Sequence, residues 1–317
     1  MKIQKAYTAT DVHVAGEAFR IIKDAPFIHY QSLEQLDEQF FHAYAGEVNL
    51  LLNEPRGFAG LNGCLVLPPF SGEADAAVVF FNHEQTVTLH YAGAVAVITA
   101  LLECGHLSPR ESNEYTLETV SGAIKLNAVM NDDEVVSVKL ETKPSTVVQS
   151  SISLNGNGLQ TQYSLVQADH LYAIFNKKDV PFQLHMDDLA EVQSWGQTVN
   201  EALSSNESIQ RVALLDDSTI DTGRIKTVTF RRDNYIVRSP GFGTTAASYA
   251  SLLSSGKLSG EQPLENESIF NSLLTAQCEN QSDRGFVFTF TSRGFITGMQ
   301  TYLLDPTDPL AEGFLIK

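Results

Sequence analysis

The 317-residue chain is poor in positive charge, in cysteine and in long apolar runs. It has 21 lysine and arginine residues against 38 aspartate and glutamate residues, a net charge of −17 that repels nucleic acid and anionic membranes. No segment approaches the roughly 18 uncharged apolar residues of a membrane-spanning helix. The sequence also begins without the apolar stretch of a signal peptide, so we expect a soluble cytoplasmic protein.

The three cysteines, Cys64, Cys104 and Cys278, are odd in number and far apart, and none forms a CxxC pair. This excludes a disulfide framework and a thiolate zinc site, and it agrees with a reducing compartment. We expect all three to be buried structural residues. The histidines lack the spacing of metal ligands, so the sequence predicts no metal site.

Short strands and a few helices make up the rest of the chain, with no low-complexity linker. Alternating and β-branched residues predict strands over 2–14, 45–55, 63–69, 74–82, 118–154 and 209–238, the fifth range ending at a turn, Asn-Gly-Asn-Gly, over 155–158. Apolar spacing predicts helices over 34–45 and 187–205. Strands, helix and strands follow one another in each half, which indicates an α+β fold.

Two segments of similar pattern stand at similar depth in the two halves. Gly105 follows His90 by fifteen positions, Gly256 follows Gly241 by fifteen, and both intervals are rich in Ala, Ser, Thr or Gly. Each pattern predicts a helix that ends at its second glycine. Either chance or an internal duplication explains the match. A duplication would supply two helix N-termini, which could hold one small anion from two sides.

Six segments of the chain, in order, resemble the proline racemase and hydroxyproline epimerase family: DVHVAGEAFRII (11–22), NEPRGFAGLNGCLVLPP (53–69), RSPGFGTTAA (238–247), GKLSGEQPLENESI (256–269), SRGFITG (292–298) and DPTDPLAEGF (305–314). The resemblance implies two mirror-related domains of the diaminopimelate-epimerase type, each a β-sheet wrapped around a central helix. The first would contain residues 1–125 and about 295–317, the second residues 126–294. The ligand, a small carboxylate such as proline or hydroxyproline, would lie between two helix N-termini, and the family uses no cofactor.

The resemblance also implies site residues. In the family, two cysteines remove and return the α-proton on opposite faces of the substrate; His90 and Gly241 align with them here. The residues that align with the family's substrate contacts are Tyr91, Ala92, Gly93, Val237, Phe242, Gly243 and Thr244. Thr244 and Thr245 could equally be helix caps. Glu17 and Arg20 match family positions too, as ligand contacts or as a structural salt bridge.

These residues leave several functions open. We expect a proline-racemase-like isomerase, although ordinary two-cysteine racemisation does not fit a chain with His90 and Gly241 at those positions. A hydroxyproline dehydratase needs only one base, and His90 at a helix start can serve as that base. A non-catalytic protein that binds a ligand or a partner is the third reading. A fourth, dinucleotide binding, rests on GFGTTA with Glu261 about twenty residues on. Related chains can form homodimers, and the sequence leaves the oligomeric state open.

Overall fold

The computed structural model of the protein describes residues 5–23, 30–156, 158–282 and 284–316. The chain divides into two compact units. Unit 1 contains residues 1–140 and 292–317, and unit 2 contains residues 141–291. No helix among the described residues is long and apolar enough to cross a membrane.

A single mixed set of paired strands and two helices form the described part of unit 1. Its elements are β1 (Lys5–Val14), β2 (Glu17–Ile22), α1 (Leu33–Leu52), β3 (Leu61–Leu67), β4 (Ala76–Phe81), β5 (Thr86–Val87), α2 (Tyr91–Glu103), β6 (Glu114–Thr119), β7 (Gly122–Asn131), β8 (Glu134–Glu141) and a last strand that returns beside β1, here β18 (Gly294–Leu304). The pairs β2–β3 and β4–β6 are parallel, and the other pairs are antiparallel. Helices α1 and α2 make the two parallel crossovers.

Unit 2 repeats this plan. Its elements are β9 (Thr146–Gly156), β10 (Leu159–Gln167), β11 (Leu171–Asn176), α3 (Leu189–Ala202), β12 (Arg211–Asp216), β13 (Arg224–Arg231), β14 (Ile236–Val237), α4 (Phe242–Ser254), β15 (Leu264–Ser268), β16 (Leu273–Ser282) and β17 (Gly285–Ser292), with short 3₁₀ turns at 177–179, 186–188 and 220–222. Again two pairs are parallel, β11–β12 across α3 and β13–β15 across α4, and the others are antiparallel.

The same order of strand pairings in both units is what an internal duplication produces. The repeated helices are α2 and α4, each of 13 residues, and each packs against the strands of its own unit. Their residues are almost all buried, since small side chains let a helix lie close to a surrounding sheet. The predicted α+β class, with a sheet wrapped around a central helix in each unit, is confirmed.

One predicted strand is wrong. Residues 45–55 were expected to be extended, but α1 continues to Leu52. The run Val48, Leu50, Leu51 and Leu52 is buried in the core of unit 1, where it contacts the sheet. A short apolar run fits a buried strand and a buried helix equally well, so its periodicity could not separate them.

The structure also places residues 126–140 in unit 1, where the sequence-based division put them in the second domain. A boundary at residue 125 would cut through β7, which is paired along its length between β6 and β8. Asn157 of the expected turn at 155–158 lies outside the described residues; β9 ends at Gly156 and β10 begins at Leu159.

A buried arginine ties the first strands of unit 1 to its last one. Arg20 donates to both carboxylate oxygens of Asp11, from Nε at 2.9 Å and from Nη2 at 2.7 Å. Its Nη1 donates to the carbonyl oxygens of Leu51 and Arg56, and its guanidinium lies 4.1 Å from the centre of the Tyr302 ring. Arg20 is 4% exposed. Of the two readings left open for it, the structure supports the structural one.

We therefore expect Arg20→Ala to lower the free energy of unfolding by about 3–5 kcal/mol, because it leaves the Asp11 carboxylate without its buried partner. Urea unfolding followed by circular dichroism measures this difference. Lys226→Ala is the matched control: Lys226 pairs with Glu267 at 3.0 Å on the more exposed surface of unit 2 and should cost about 1 kcal/mol or less. Equal losses in the two variants would contradict the role given to Arg20.

Candidate active site

Helix α2 begins directly after His90, which caps it. The backbone of His90 is extended, with φ −136° and ψ 103°. Its Nδ1 accepts a hydrogen bond from the Gly93 N–H at 3.3 Å, as the side chain of Asn, Asp, Ser or Thr does at most helix starts. Because Nδ1 accepts a hydrogen bond, the proton of the neutral imidazole lies on Nε2.

The Nε2 of His90 points at a carboxylate. It lies 3.3 Å from Oε1 of Glu17, at the first residue of β2. The amide of Asn62, on the neighbouring strand β3, donates to the same oxygen at 3.4 Å. The side chains of His90 and Glu17 are 21% and 17% exposed, so both are largely enclosed and still reach solvent. The sequence left Glu17 open as a ligand contact or as part of a structural salt bridge. In the structure its carboxylate lies against the imidazole of His90, the candidate base.

Apolar residues surround the ring of His90. Phe19 meets it edge-on with ring centres 5.0 Å apart, and the Phe80 ring is 6.1 Å away. Both phenylalanines are buried, which limits the rotation of the imidazole.

Cys64 is also fully buried in β3, and its burial, together with the charge of Glu17, raises the pKa of its thiol. Cys64 therefore stays a protonated thiol at neutral pH.

The Glu17–His90 pair can hold one proton between an imidazole and a carboxylate. Such a pair can take a proton from a bound molecule and give it back, which is what general acid–base catalysis requires. The first turn of α2 beside it carries the positive end of the helix dipole. Together these features suit a substrate that presents a carboxylate and, next to it, a removable proton.

The start of α4 in unit 2 is built differently. Gly241 precedes the helix with φ 71° and ψ 131° and caps it with no side chain. A positive φ of this kind is strained for residues with a Cβ, so the backbone here suits glycine. The Gly241 N–H donates to Oγ of Ser239 at 3.1 Å. Phe242 is buried and packs against Phe290 with the two rings tilted and their centres 4.8 Å apart.

A carboxylate of the chain itself touches the first turn of α4. A Cβ on Gly243 would lie 1.8 Å from Oδ1 of Asp169 and 2.4 Å from the hydroxyl of Tyr172, so a larger residue at this position would have to displace both groups. The Tyr172 hydroxyl donates to Oδ1 of Asp169 at 2.9 Å. Asp169 lies between β10 and β11 and is exposed, whereas Tyr172 is 3% exposed.

Behind Asp169, buried hydroxyls join α4 to the sheet. The Oγ1 atoms of Thr244 and Thr229 lie 2.8 Å apart. Thr245 accepts from the amide of Asn266 at 2.8 Å, and that amide also exchanges hydrogen bonds with Thr227. Thr244 and Thr245 therefore bond to strand side chains, and neither of them caps α4.

The structure thus separates the sequence-predicted residues into two groups. Unit 1 brings together His90, Tyr91, Ala92 and Gly93 at the start of α2, and unit 2 brings Val237, Gly241, Phe242, Gly243 and Thr244 together at the end of β14 and the start of α4. Asn62, Asp169 and Tyr172 are missing from the sequence-based set. No local motif marks them, because each reaches its helix from another part of the chain.

Among the described residues, no cluster of three or more His, Cys, Asp or Glu side chains could hold a metal ion.

Comparison with known proteins shows the family of the chain. The sequence matches the proline racemase family over residues 9–315, almost the whole chain. The chain belongs to the proline racemase family. This match includes His90 and Gly241 and confirms the resemblance found in the six segments.

Two relatives of known activity match the full length. The chain is 28% identical to trans-3-hydroxy-L-proline dehydratase of Bacillus cereus, over 100% of both chains. It is 24% identical to 4-hydroxyproline 2-epimerase of Shewanella loihica, over 99% of both. The family therefore contains both a lyase and an isomerase among the proteins similar to this one.

A solved structure has the same fold. It is a hydroxyproline epimerase from Agrobacterium vitis with bound trans-4-hydroxy-L-proline, with a TM-score of 0.87, 22% sequence identity, and coverage of 100% of this chain and 96% of the other. The likeness confirms the α+β architecture of the family.

The contact at Gly243 predicts that Gly243→Ala destabilises the protein by about 1–3 kcal/mol, because the added methyl group displaces the Asp169 carboxylate and the Tyr172 hydroxyl. Urea unfolding measures the loss. Gly46→Ala in α1 is the control: a Cβ there meets nothing within 4 Å, so it should stabilise the protein by about 0.5–1 kcal/mol. If both variants gained stability, the close approach at Gly243 would be refuted.

Proposed function

We propose that this protein removes water from trans-3-hydroxy-L-proline, with Glu17 and His90 as its acid–base pair. The observation that carries the proposal is the 3.3 Å contact between Nε2 of His90 and Oε1 of Glu17 at the start of α2. The match to the dehydratase relative supports the choice of reaction.

The proposal assigns the substrate carboxylate to the first turn of α2. Backbone N–H groups and the helix dipole favour an anion at this position. Removing the α-proton shifts negative charge onto that carboxylate, so the same dipole stabilises the transition state more than the ground state.

The stereochemistry of the substrate suits a single catalytic pair. In trans-3-hydroxy-L-proline the hydroxyl group and the carboxylate lie on opposite faces of the ring, which puts the α-proton and the hydroxyl on the same face. One group on that face can therefore take the α-proton and protonate the departing hydroxyl. Elimination of this kind needs no catalytic side chain at position 241.

The Glu17–His90 pair takes up one proton from the substrate and returns one, so it ends the reaction in its starting protonation state. The Cα–H bond breaks and its proton passes to the Glu17–His90 pair, while its electrons form a double bond between Cα and C3. The C3–O bond breaks, and the pair returns a proton to the leaving oxygen, which departs as water. The enamine product rearranges to the cyclic imine, Δ1-pyrroline-2-carboxylate. No oxidation or reduction occurs, so the reaction needs no redox cofactor.

Inversion of an α-carbon makes a different demand. It needs a proton donor on the face opposite the base, at the position that Gly241 occupies by the family resemblance. Glycine has no side chain to supply that proton. Epimerisation of 4-hydroxyproline, racemisation of proline, and ligand binding without turnover are thus the alternatives that the first experiment has to distinguish.

The first experiment follows the protein in D₂O by proton NMR with trans-3-hydroxy-L-proline, cis-3-hydroxy-L-proline, trans-4-hydroxy-L-proline and L-proline. We expect the trans-3 compound alone to lose its signals and give the cyclic imine, because only there do the α-proton and a β-hydroxyl share a face. Deuterium at Cα with an inverted product from the trans-4 compound or from proline would instead support an isomerase. Binding without exchange would support a non-catalytic protein.

Variants of the pair test its role. His90→Asn keeps a good helix cap but cannot carry the proton, and Glu17→Gln keeps the shape of the side chain without its charge. We expect each to lower kcat by about 10²–10⁴-fold. His106→Asn is the matched control, since His106 is exposed beyond the other end of α2, and it should keep full activity. Full activity in His90→Asn would rule out the pair as the catalytic group.

A cysteine at position 241 should not create a racemase. The φ of 71° at Gly241 opposes any residue with a Cβ, and the new Cβ would lie 3.2 Å from Oγ1 of Thr244. We expect Gly241→Cys to lose about 1–2 kcal/mol of stability and to leave L-proline uninverted. Polarimetry with L-proline and urea unfolding check the two outcomes. Rapid inversion by Gly241→Cys would show that only the thiol is missing.

A further inference from the structure

Asp169 lies where a ligand carboxylate would approach α4. Its Oδ1 comes so close to the first turn of the helix that a Cβ on Gly243 would lie 1.8 Å away. The first turn contains no acidic residue, and Gly241 contributes no capping side chain. The Asp169 carboxylate thus places a negative charge beside Gly243 in the first turn of α4.

Two donors hold Asp169 in this position. The hydroxyl of Tyr172 and the N–H of His170 each donate to Oδ1 at 2.9 Å. Burial and the charge of Asp169 raise the pKa of Tyr172 well above its ordinary value, outweighing the opposite effect of Arg211, so the phenol remains a donor. The buried Thr244 bonds to Thr229 and also contacts the Tyr172 hydroxyl.

We propose that Asp169 is a specificity-determining residue that fills the start of α4 with the protein's own carboxylate and so excludes a ligand carboxylate from it. A second carboxylate placed there would meet an existing negative charge as well as occupied space, and both oppose binding. Removing Asp169 should turn the same helix start into an anion site.

The inference departs from what the family resemblance implies, namely a carboxylate shared by two helix N-termini. In this chain the two starts differ: α2 is capped by an imidazole, and α4 is contacted by a carboxylate. Carboxylate recognition then belongs to α2 alone. The inference concerns binding in unit 2 and stands whether or not the protein is a dehydratase.

The test is a titration of the full chain with cyclopentanecarboxylate, which has the ring and carboxylate of proline but no nitrogen. Amide ¹H–¹⁵N NMR signals of Phe242, Gly243 and Thr244 report binding at α4 separately from α2. In the unmodified protein we expect no saturable shift of these signals. In Asp169→Ala we expect saturable shifts and a dissociation constant at least tenfold lower than the highest concentration tested.

Two further variants keep the result interpretable. Asp169→Asn preserves an oxygen for Tyr172 and His170 and removes only the charge, so it should fold normally and gain weaker binding. Asp221→Ala removes an exposed carboxylate elsewhere in unit 2 and should leave the α4 signals unchanged. Saturable shifts at α4 in the unmodified protein, or none in either Asp169 variant, would overturn the proposal. Because turnover is not measured, failure of the dehydratase proposal would not alter this result.

Discussion

A largely buried helix needs partners for the amide N–H groups of its first turn, and this requirement bears on both units of the protein. Most residues of helices α2 and α4 are buried against strands, so the protein itself supplies groups near their starts. In unit 1 a ring nitrogen of His90 accepts from the first turn. In unit 2 the Asp169 carboxylate lies against it. The two starts therefore differ in the group beside them, an imidazole that accepts a hydrogen bond at α2 and a carboxylate next to Gly243 at α4.

The two units thus share one scaffold but differ at the starts of α2 and α4. Strand pairings and helix lengths repeat from one unit to the other, because they depend on apolar burial that many sequences can supply. The helix starts do not repeat: His90 caps α2, whereas Asp169 lies beside Gly243 at α4. An imidazole leaves a movable proton beside α2, whereas a fixed carboxylate leaves negative charge at α4. A duplicated fold can in this way keep its architecture while its two sites diverge.

Strand β2 carries candidate catalytic residues on one face and a buried structural ion pair on the other. Successive residues of a strand point to opposite faces. Glu17 and Phe19 face His90, while Arg20, between Phe19 and Ile21, turns the other way and binds Asp11 and the carbonyls at the end of α1. The buried ion pair on one face holds the strand in register. That register in turn places the Glu17 carboxylate beside the imidazole on the other.

The sequence alone determined the α+β class, the two equivalent helices and the family, because these depend on local periodicity and on motifs that are contiguous in the chain. It misread residues 45–55 as a strand, since an apolar run does not reveal whether a helix or a strand buries it. Only the tertiary structure decided that Glu17 meets His90 and that Asp169 meets Gly243. Both contacts join residues far apart in the chain. Sheet register and helix crossings set such distances, and no local pattern encodes them.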